Sequence, residues 1–299
     1  MQLLEVAHNA ILRPALPVIR TMVPRPLLWR AYRRYAKHRY LNFLTAELSE
    51  AWVDRTVEEG PAMTERLRLL TRSLDEKSYR AEFTDDQYFY AAYRQAYHFF
   101  RLLARNGFNL RTCGAILEFG CGSAPLLRVY RYLDGVRLIG VDANPECIEW
   151  CRRHVPDCEF YVNDLTPPLP FPEGSQFDLI VACSVFTHIP LEQQKIWVEE
   201  VKRVLKPGGY FVCTLVGNDL VEAQLGAEWR QILKQRKQFQ IDGGDSRASL
   251  STRAGGSHYD IFQRRDQVLE VFGSIMRVHD YVPYSRAPIG QDVLLLQRQ

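Results

Sequence analysis

The sequence predicts an α/β fold, a doubly wound and mostly parallel sheet, and three observations carry that prediction. Residues 115 to 142 read as one strand, loop, helix, strand unit: Ala115-Ile116-Leu117 runs into Glu118-Phe119-Gly120-Cys121-Gly122, a helical stretch follows, and Leu138-Ile139-Gly140-Val141 ends on Asp142. Apolar runs of strand length then alternate with runs of helical spacing as far as residue 215. The run Phe177 to Cys183 is apolar throughout after Asp178, the pattern of a central strand covered on both faces.

Within the first unit, Gly120 and Gly122 stand where the backbone must turn sharply and let a ligand approach. Asp142 lies 22 residues beyond Gly120, where a carboxylate can accept hydrogen bonds from both hydroxyls of a ribose. The rival reading is a dinucleotide site. Its fingerprint needs a further glycine at 125, next to the helix N-terminus that holds the pyrophosphate. This sequence has Pro125, which suits a first helical turn but takes a donor out of a phosphate cradle. A ligand with a ribose and no pyrophosphate fits better.

On these residues, the segment from 113 to 216 resembles the core of the class I S-adenosylmethionine-dependent methyltransferases. Glu118-Phe119-Gly120-Cys121-Gly122 resembles the family's first motif, with Ala124 where a third glycine is usual. Asp142 resembles the ribose-binding acid, Asn163-Asp164-Leu165 the segment that frames the adenine, Phe177 to Ala182 the fourth strand, and Val204 to Tyr210 the turn into the fifth. The resemblance implies a Rossmann-like seven-stranded sheet with an antiparallel last strand. It also implies S-adenosyl-L-methionine as cofactor, held by Glu118, Gly120, Cys121, Gly122, Asp142, Ala143, Asn163, Asp164, Leu165 and Cys183.

Taken in order, the elements are a strand at 115–119, a helix at 125–133, a strand at 137–142, a helix at 145–154 and a strand at 159–163. Pro167, Pro168, Pro170 and Pro172 stiffen the next connection. The central strand at 177–183 leads to a helix at 191–205 that buries Trp197, Val201 and Val204; Gly208 and Gly209 stop it, and a strand follows at 210–215. A charged helical stretch near 220–239 comes next, then a segment at 241–258 rich in Gly, Ser, Asp and Arg, read as a mobile loop. The chain closes with a helix near 265–272 and strands at 276–281 and 292–297, which the resemblance makes the antiparallel pair. Upstream, Asp85 and Asp86 cap a helix with Phe89, Ala92, Ala96, Phe99 and Leu103 at helical spacing, ended by Gly107. In the family such a helix closes over the cofactor, so Tyr88, Tyr90, Tyr93 and Tyr97 are either lid or core. The chain thus divides into a helical N-terminal extension and lid at 1–106 and a methyltransferase-like domain at 107–299, with a substrate-side insertion at 217–262.

Composition sets bounds on partners. The 299 residues carry a net charge of +3, but residues 1–40 alone hold eight basic residues and one acid, leaving the remainder net acidic. From Leu28 to Trp52 a helical stripe faces arginines; it reads either as a face packed on the core with the basic side solvated, or as a peripheral membrane contact. Nucleic acid is not expected, since no aromatic-basic reader motif accompanies the charge. Seven cysteines without paired spacing point to reduced thiols, a cytoplasmic setting and no zinc site, and no run reaches a membrane span. Oligomeric state is open.

Methyl transfer from a sulfonium is an in-line displacement with a good leaving group, so positioning and exclusion of water matter most. An oxygen acceptor also needs a base. His188, at the end of the fourth strand, is the first candidate for that base, with helix capping as its plain alternative. His258 and Tyr259, after Gly255-Gly256, are further candidates from the loop, and a methyl acceptor of small-molecule, glycan or secondary-metabolite type is expected. A fold that binds the cofactor without turnover is the competing class.

Overall fold

In the computed structural model, the described residues are 85–299 apart from 132, 134, 173–175, 225–226, 237, 243–258 and 288. The basic N-terminal stripe, residues 243–258 of the expected loop and with them His258 lie outside them. The helix α1 (Asp85–Arg105) precedes a parallel series of β1 (Ala115–Phe119), α2 (Pro125–Tyr130), β2 (Arg137–Asp142), α3 (Pro145–His154), β3 (Glu159–Val162) and β4 (Phe177–Ala182). α4 (Leu191–Val204) and β5 (Leu205–Leu215) follow, then α5 (Asn218–Gln224), α6 (Ala227–Gln235), β6 (Gln238–Asp242), β7 (Tyr259–Gln263), α7 (Arg265–Gly273), β8 (Arg277–Val282) and β9 (Asp292–Gln297).

β1 is buried along its whole length because it lies between β2 and β4, parallel to both. The sheet order is β3-β2-β1-β4-β5-β9-β8, and β9 runs antiparallel to both β5 and β8, the seven-stranded arrangement expected. The chain steps outward one way from β1 through β2 and β3, then crosses to β4. That reversal opens a crevice at the carboxyl ends of β1 and β4, where open α/β sheets bind ligands. One face of the sheet is filled by an aromatic cluster in which Phe186 meets Phe119, Phe211 and Phe272 with ring centroids 5.6 to 6.3 Å apart. On α1, Ala92, Ala96, Phe99, Leu103 and also Tyr97 are buried, and Phe100 packs on Tyr130 of α2 at 4.7 Å.

Three elements differ from the sequence reading. α2 ends at Tyr130, three residues early. β5 starts at Leu205 instead of Tyr210, because Gly208 takes φ +77° and Gly209, whose Cβ would lie 2.8 Å from the Lys206 carbonyl, lets the chain continue as strand straight out of α4. The insertion holds a two-stranded antiparallel sheet, β6 with β7, where helix and loop were expected. Gln238-Phe239-Gln240-Ile241 alternates over only four residues, Ile261, Phe262 and Gln263 are buried in succession, and the polar segment between the two strands hides the pairing.

The turn from β1 into α2 is held from below. Ala124, the N-cap of α2, offers no side-chain bond, and Pro125 follows it. Glu118 on β1 supplies the acceptor instead: the Leu127 N–H donates to its Oε2 at 3.0 Å. Glu118 is only 3% exposed. Burial pushes its carboxyl from 4.5 up to about 8, against the N–H groups of Leu127 and Leu126, which pull it down. A folded value above the unfolded one gives stability that is complete below 4.5 and is lost as pH rises to about 8. Glu118→Gln keeps an acceptor and cannot ionise. Relative to that variant, the wild type should lose on the order of 1 to 4 kcal/mol between pH 5 and 8, measured by urea unfolding at both values; parallel pH profiles would show that Glu118 does not carry the effect.

Candidate active site

The carboxyl ends of β1 to β4 bring the sequence-predicted residues to one edge. In the loop after β1, Gly120, Gly122 and Ala124 have φ of 70°, 51° and 54°. This left-handed conformation costs a non-glycine residue roughly 1–2 kcal/mol, which is why glycine is the easier residue at 124. Gly120 is required for a second reason: a Cβ there would overlap the Val185 side chain, so the loop after β1 rests directly on the segment after β4. Gly140 on β2 makes room in the same way for Cys121, whose Sγ would lie 2.9 Å from an added Cβ.

The loop's amides point inward. Gly120 and Cys121 both donate to the Val141 carbonyl, at 2.8 and 2.9 Å, and Ala124 donates to the Cys121 carbonyl at 2.6 Å. Gly122 donates to Asp142 Oδ2 at 2.7 Å. A phosphate would find none of these four donors free, which excludes the pyrophosphate cradle more firmly than Pro125 alone.

Asp142, half-buried at the end of β2, also accepts the Asn144 N–H on Oδ1 at 2.8 Å, while Asn144 Oδ1 caps α3 through Glu146. Burial raises its pKa and the two N–H donors oppose that rise. Each carboxylate oxygen holds one backbone bond and keeps a lone pair for a ligand hydroxyl. Ala143 is half-buried beside it. Asn163 donates Nδ2 to the Asp164 carbonyl at 2.7 Å, yet its Oδ1 is buried with no partner among the described residues. Asp164 is exposed, and Leu165 and Val162 present apolar surface, 56% and 43% exposed. An unpaired acceptor beside exposed aliphatic groups is what a flat aromatic base with an exocyclic amine would satisfy. The acceptor set, a carboxylate and a lone amide oxygen with no phosphate cradle, fits the hydroxyls and exocyclic amine of the adenosine part of S-adenosyl-L-methionine.

Burial, with Glu118 adding, pushes the half-buried Cys183 thiol up to about 12, so it stays neutral and is no nucleophile. His188 ends a 3-10 turn (Phe186–His188) and is half-buried; its N–H donates to the Val185 carbonyl at 3.0 Å. Behind that turn, Gln194 on α4 donates to the Phe186 carbonyl at 2.7 Å and exchanges bonds of 3.1 and 2.9 Å with Gln263 of β7. The insertion thereby holds the turn that carries His188. Tyr259, expected in a loop, instead opens β7 and pairs with Asp242, and β7 packs against the His188 turn.

Two groups escaped the sequence reading. Ser184, with φ 59°, donates its N–H to Thr214 Oγ1 at 2.7 Å and its hydroxyl to Gln291 at 3.0 Å. Thr187 Oγ1 is buried without a partner among the described residues, next to His188. A hydroxyl residue just past a central strand was the available signal for both.

The comparisons with known proteins agree with this geometry. A family model described as a methyltransferase domain matches residues 117–213. The chain is 40% identical over 98 residues to an uncharacterised methyltransferase of Synechocystis, covering 32% of this chain and 44% of that protein. It is 33% identical over 134 residues to a probable phthiotriol/phenolphthiotriol dimycocerosates methyltransferase of Mycobacterium ulcerans, covering 41% of this chain and 48% of the relative. The chain therefore spans just under half the length of these relatives. A Pyrococcus horikoshii protein of known crystal structure shares the fold with a TM-score of 0.50 at 16% identity, over 69% of this chain and 91% of its own. Ordered motifs, strand order and the match over residues 117–213 together identify that segment as a methyltransferase domain of the class I S-adenosylmethionine-dependent kind.

Proposed function

We propose that this chain transfers the methyl group of S-adenosyl-L-methionine to an oxygen or nitrogen of a small-molecule, glycan-type or secondary-metabolite acceptor. The observation that carries this reading is the β1 loop itself, whose amides are turned onto the end of β2 while Asp142 keeps free lone pairs and Asn163 Oδ1 has no partner. On this reading Asp142 holds the ribose and Asn163, Asp164 and Leu165 frame the adenine. Gly120, Cys121 and Gly122 line the passage of the chain, and Ala143 and Cys183 close the sides. Glu118 acts from beneath, through the loop. The cofactor, when bound, supplies an electrophilic methyl group on a good leaving group.

The protein's own work is then to orient the acceptor in line, exclude water and take a proton from an oxygen acceptor. An imidazole nitrogen of His188 is the group for that proton, held in place by the Gln194–Gln263 pair behind its turn. Tyr259 opens the strand packed on the same turn, and with His258 is the further candidate for contact with acceptor.

A second reading, a lipid or prenyl-linked acceptor reached at a membrane surface, is supported by the mycobacterial relative and by the +7 imbalance of residues 1–40. Each basic residue near an anionic bilayer contributes about 1 kcal/mol.

Calorimetry should show binding of the demethylated cofactor, weakened by ~1.5 to 3 kcal/mol in Asp142→Ala, the scale of hydrogen bonds to a charged group. Binding of NAD in its place would sink the cofactor assignment. His188→Ala should lower turnover ~100-fold with cofactor affinity nearly unchanged, as for loss of a general base. Full turnover in that variant would make His188 structural, and cofactor binding without turnover on any acceptor would favour a non-catalytic binding protein. For the second reading, co-sedimentation with vesicles should need anionic lipid, fall as salt rises and vanish in Arg30→Glu/Arg33→Glu/Arg34→Glu; a wild type that ignores anionic vesicles at low salt removes the membrane from the account.

A further inference from the structure

A cavity of about 720 Å³ opens beyond β5, apart from the β1 loop, and the proposed function gives it no role. It lies on the same edge of the sheet. Asp292, which lines it, pairs with Leu215 at the end of β5, and Val282 at the end of β8 pairs with Val293. Gln291, one residue before Asp292, accepts the Ser184 hydroxyl at 3.0 Å and so ties this wall to the segment after β4. The volume falls in the range of sites for small organic ligands.

The lining is polar, and its charges do not cancel. Each carboxylate that faces the space is already engaged. Asp266 is bound by the guanidinium of Arg264, Asp219 by the Ser285 hydroxyl, and Asp292 by the Tyr281 hydroxyl and, at 2.5 Å, the Tyr284 N–H. Asp292 is 1% exposed, and burial pushes its carboxyl up to about 6, while its two hydrogen bonds and the Arg265 charge oppose that rise. The cations of Lys234, Arg265 and Arg286 line the same space with no carboxylate in ion-pair contact among the described residues. Arg265 lies over the Tyr281 ring, its Cζ 4.8 Å from the centroid, a contact that restricts where its fork of N–H groups can go. These three side chains come from three separate elements, α6, α7 and the β8–β9 connection, and converge on one cavity.

We propose that this cavity is the acceptor subsite and that it takes a polyhydroxylated acceptor bearing an anionic group, a phosphate or a carboxylate, held by Arg265, Arg286 and Lys234. The inference deepens the methyltransferase reading of this edge and rests on it. The anionic group pairs with the two guanidinium forks, as carboxylates and phosphates do. Hydroxyls find Asn218, Ser285 and the engaged carboxylates, which retain acceptor lone pairs.

The test uses the full chain, titrated calorimetrically with glucose 6-phosphate, with glucuronate and with glucose, both alone and with the demethylated cofactor present. Glucose 6-phosphate or glucuronate should bind at least about tenfold more tightly than glucose, and which of the two binds separates phosphate from carboxylate recognition. Arg286→Ala and Lys234→Ala, both at exposed side chains, should each weaken the anionic sugar by about tenfold and leave cofactor affinity unchanged, while Lys195→Ala on α4 should change neither. Arg265→Ala is read only if its melting temperature matches the wild type. Equal binding of all three sugars, or binding of none while the demethylated cofactor binds, overturns the proposal. Failure of the methyltransferase reading looks different: the anionic sugar binds and the demethylated cofactor does not.

Discussion

The site depends on one constraint, that the loop after β1 folds back onto the end of β2. The Val141 carbonyl takes two N–H groups from Gly120 and Cys121, and the Asp142 carboxylate takes a third from Gly122. These bonds fix the loop without any ligand, and they need left-handed backbone at Gly120 and Gly122. They also decide the chemistry. With its amides committed, the loop cannot grip a pyrophosphate, and what remains on offer is the carboxylate of Asp142 and the unpaired oxygen of Asn163. From beneath, Glu118 completes the unit by capping α2 where Ala124 and Pro125 cannot. A buried acid serves both fold and site here, at the cost of a carboxyl that resists ionisation below about 8.

The second half of the edge is built by contacts of long sequence separation. Val185 fills the space over Gly120, Ser184 reaches Thr214 and Gln291, and Gln194 reaches Gln263. The turn that carries His188 is therefore held by β4, β5, β9 and the insertion at once. Losing the insertion would loosen that turn although no insertion side chain need touch the cofactor. This is how an added β6–β7 sheet can shape an acceptor site on a sheet whose cofactor half is already complete.

Much of the fold was legible because its signals are local. β1 and β2 fall at the residues expected, and α3 does too, since Asn144 and Pro145 mark its start and Asn144 accepts the Glu146 N–H as a cap should. The cofactor half was legible for the same reason: glycine spacing and a strand-end acid are written within 27 residues of one another. β6 and β7 were not legible. Each is a five-residue strand, and a polar segment separates them, so neither periodicity nor turn chemistry marks the pair. The acceptor half was hidden by distance. Ser184 and Gln291 are 107 positions apart, and nothing local in Asp292 announces that Tyr281 and Tyr284 will both bond it.

The cavity walls bear on the choice between polar and lipid acceptors. Desolvating the guanidinium groups against a hydrocarbon chain would leave them without an anionic partner, a penalty of several kcal/mol for each ion. A lipid tail therefore has no place beside Arg265 and Arg286. A lipid-linked acceptor fits only if its polar head enters the cavity and its tail stays outside. The two readings of the acceptor then cease to compete at the cavity itself. On the proposed reading the cavity takes a polar, anionic head, and any membrane contact has to come from other surfaces of the chain. Exposed Leu165 and Val162 stand at the β3 end of the edge, on β3 and just after it, whereas the cavity lies past β5. The two proposed roles, a flat base against the apolar surface and an anionic acceptor against the charged one, thus fall on separate stretches of this edge.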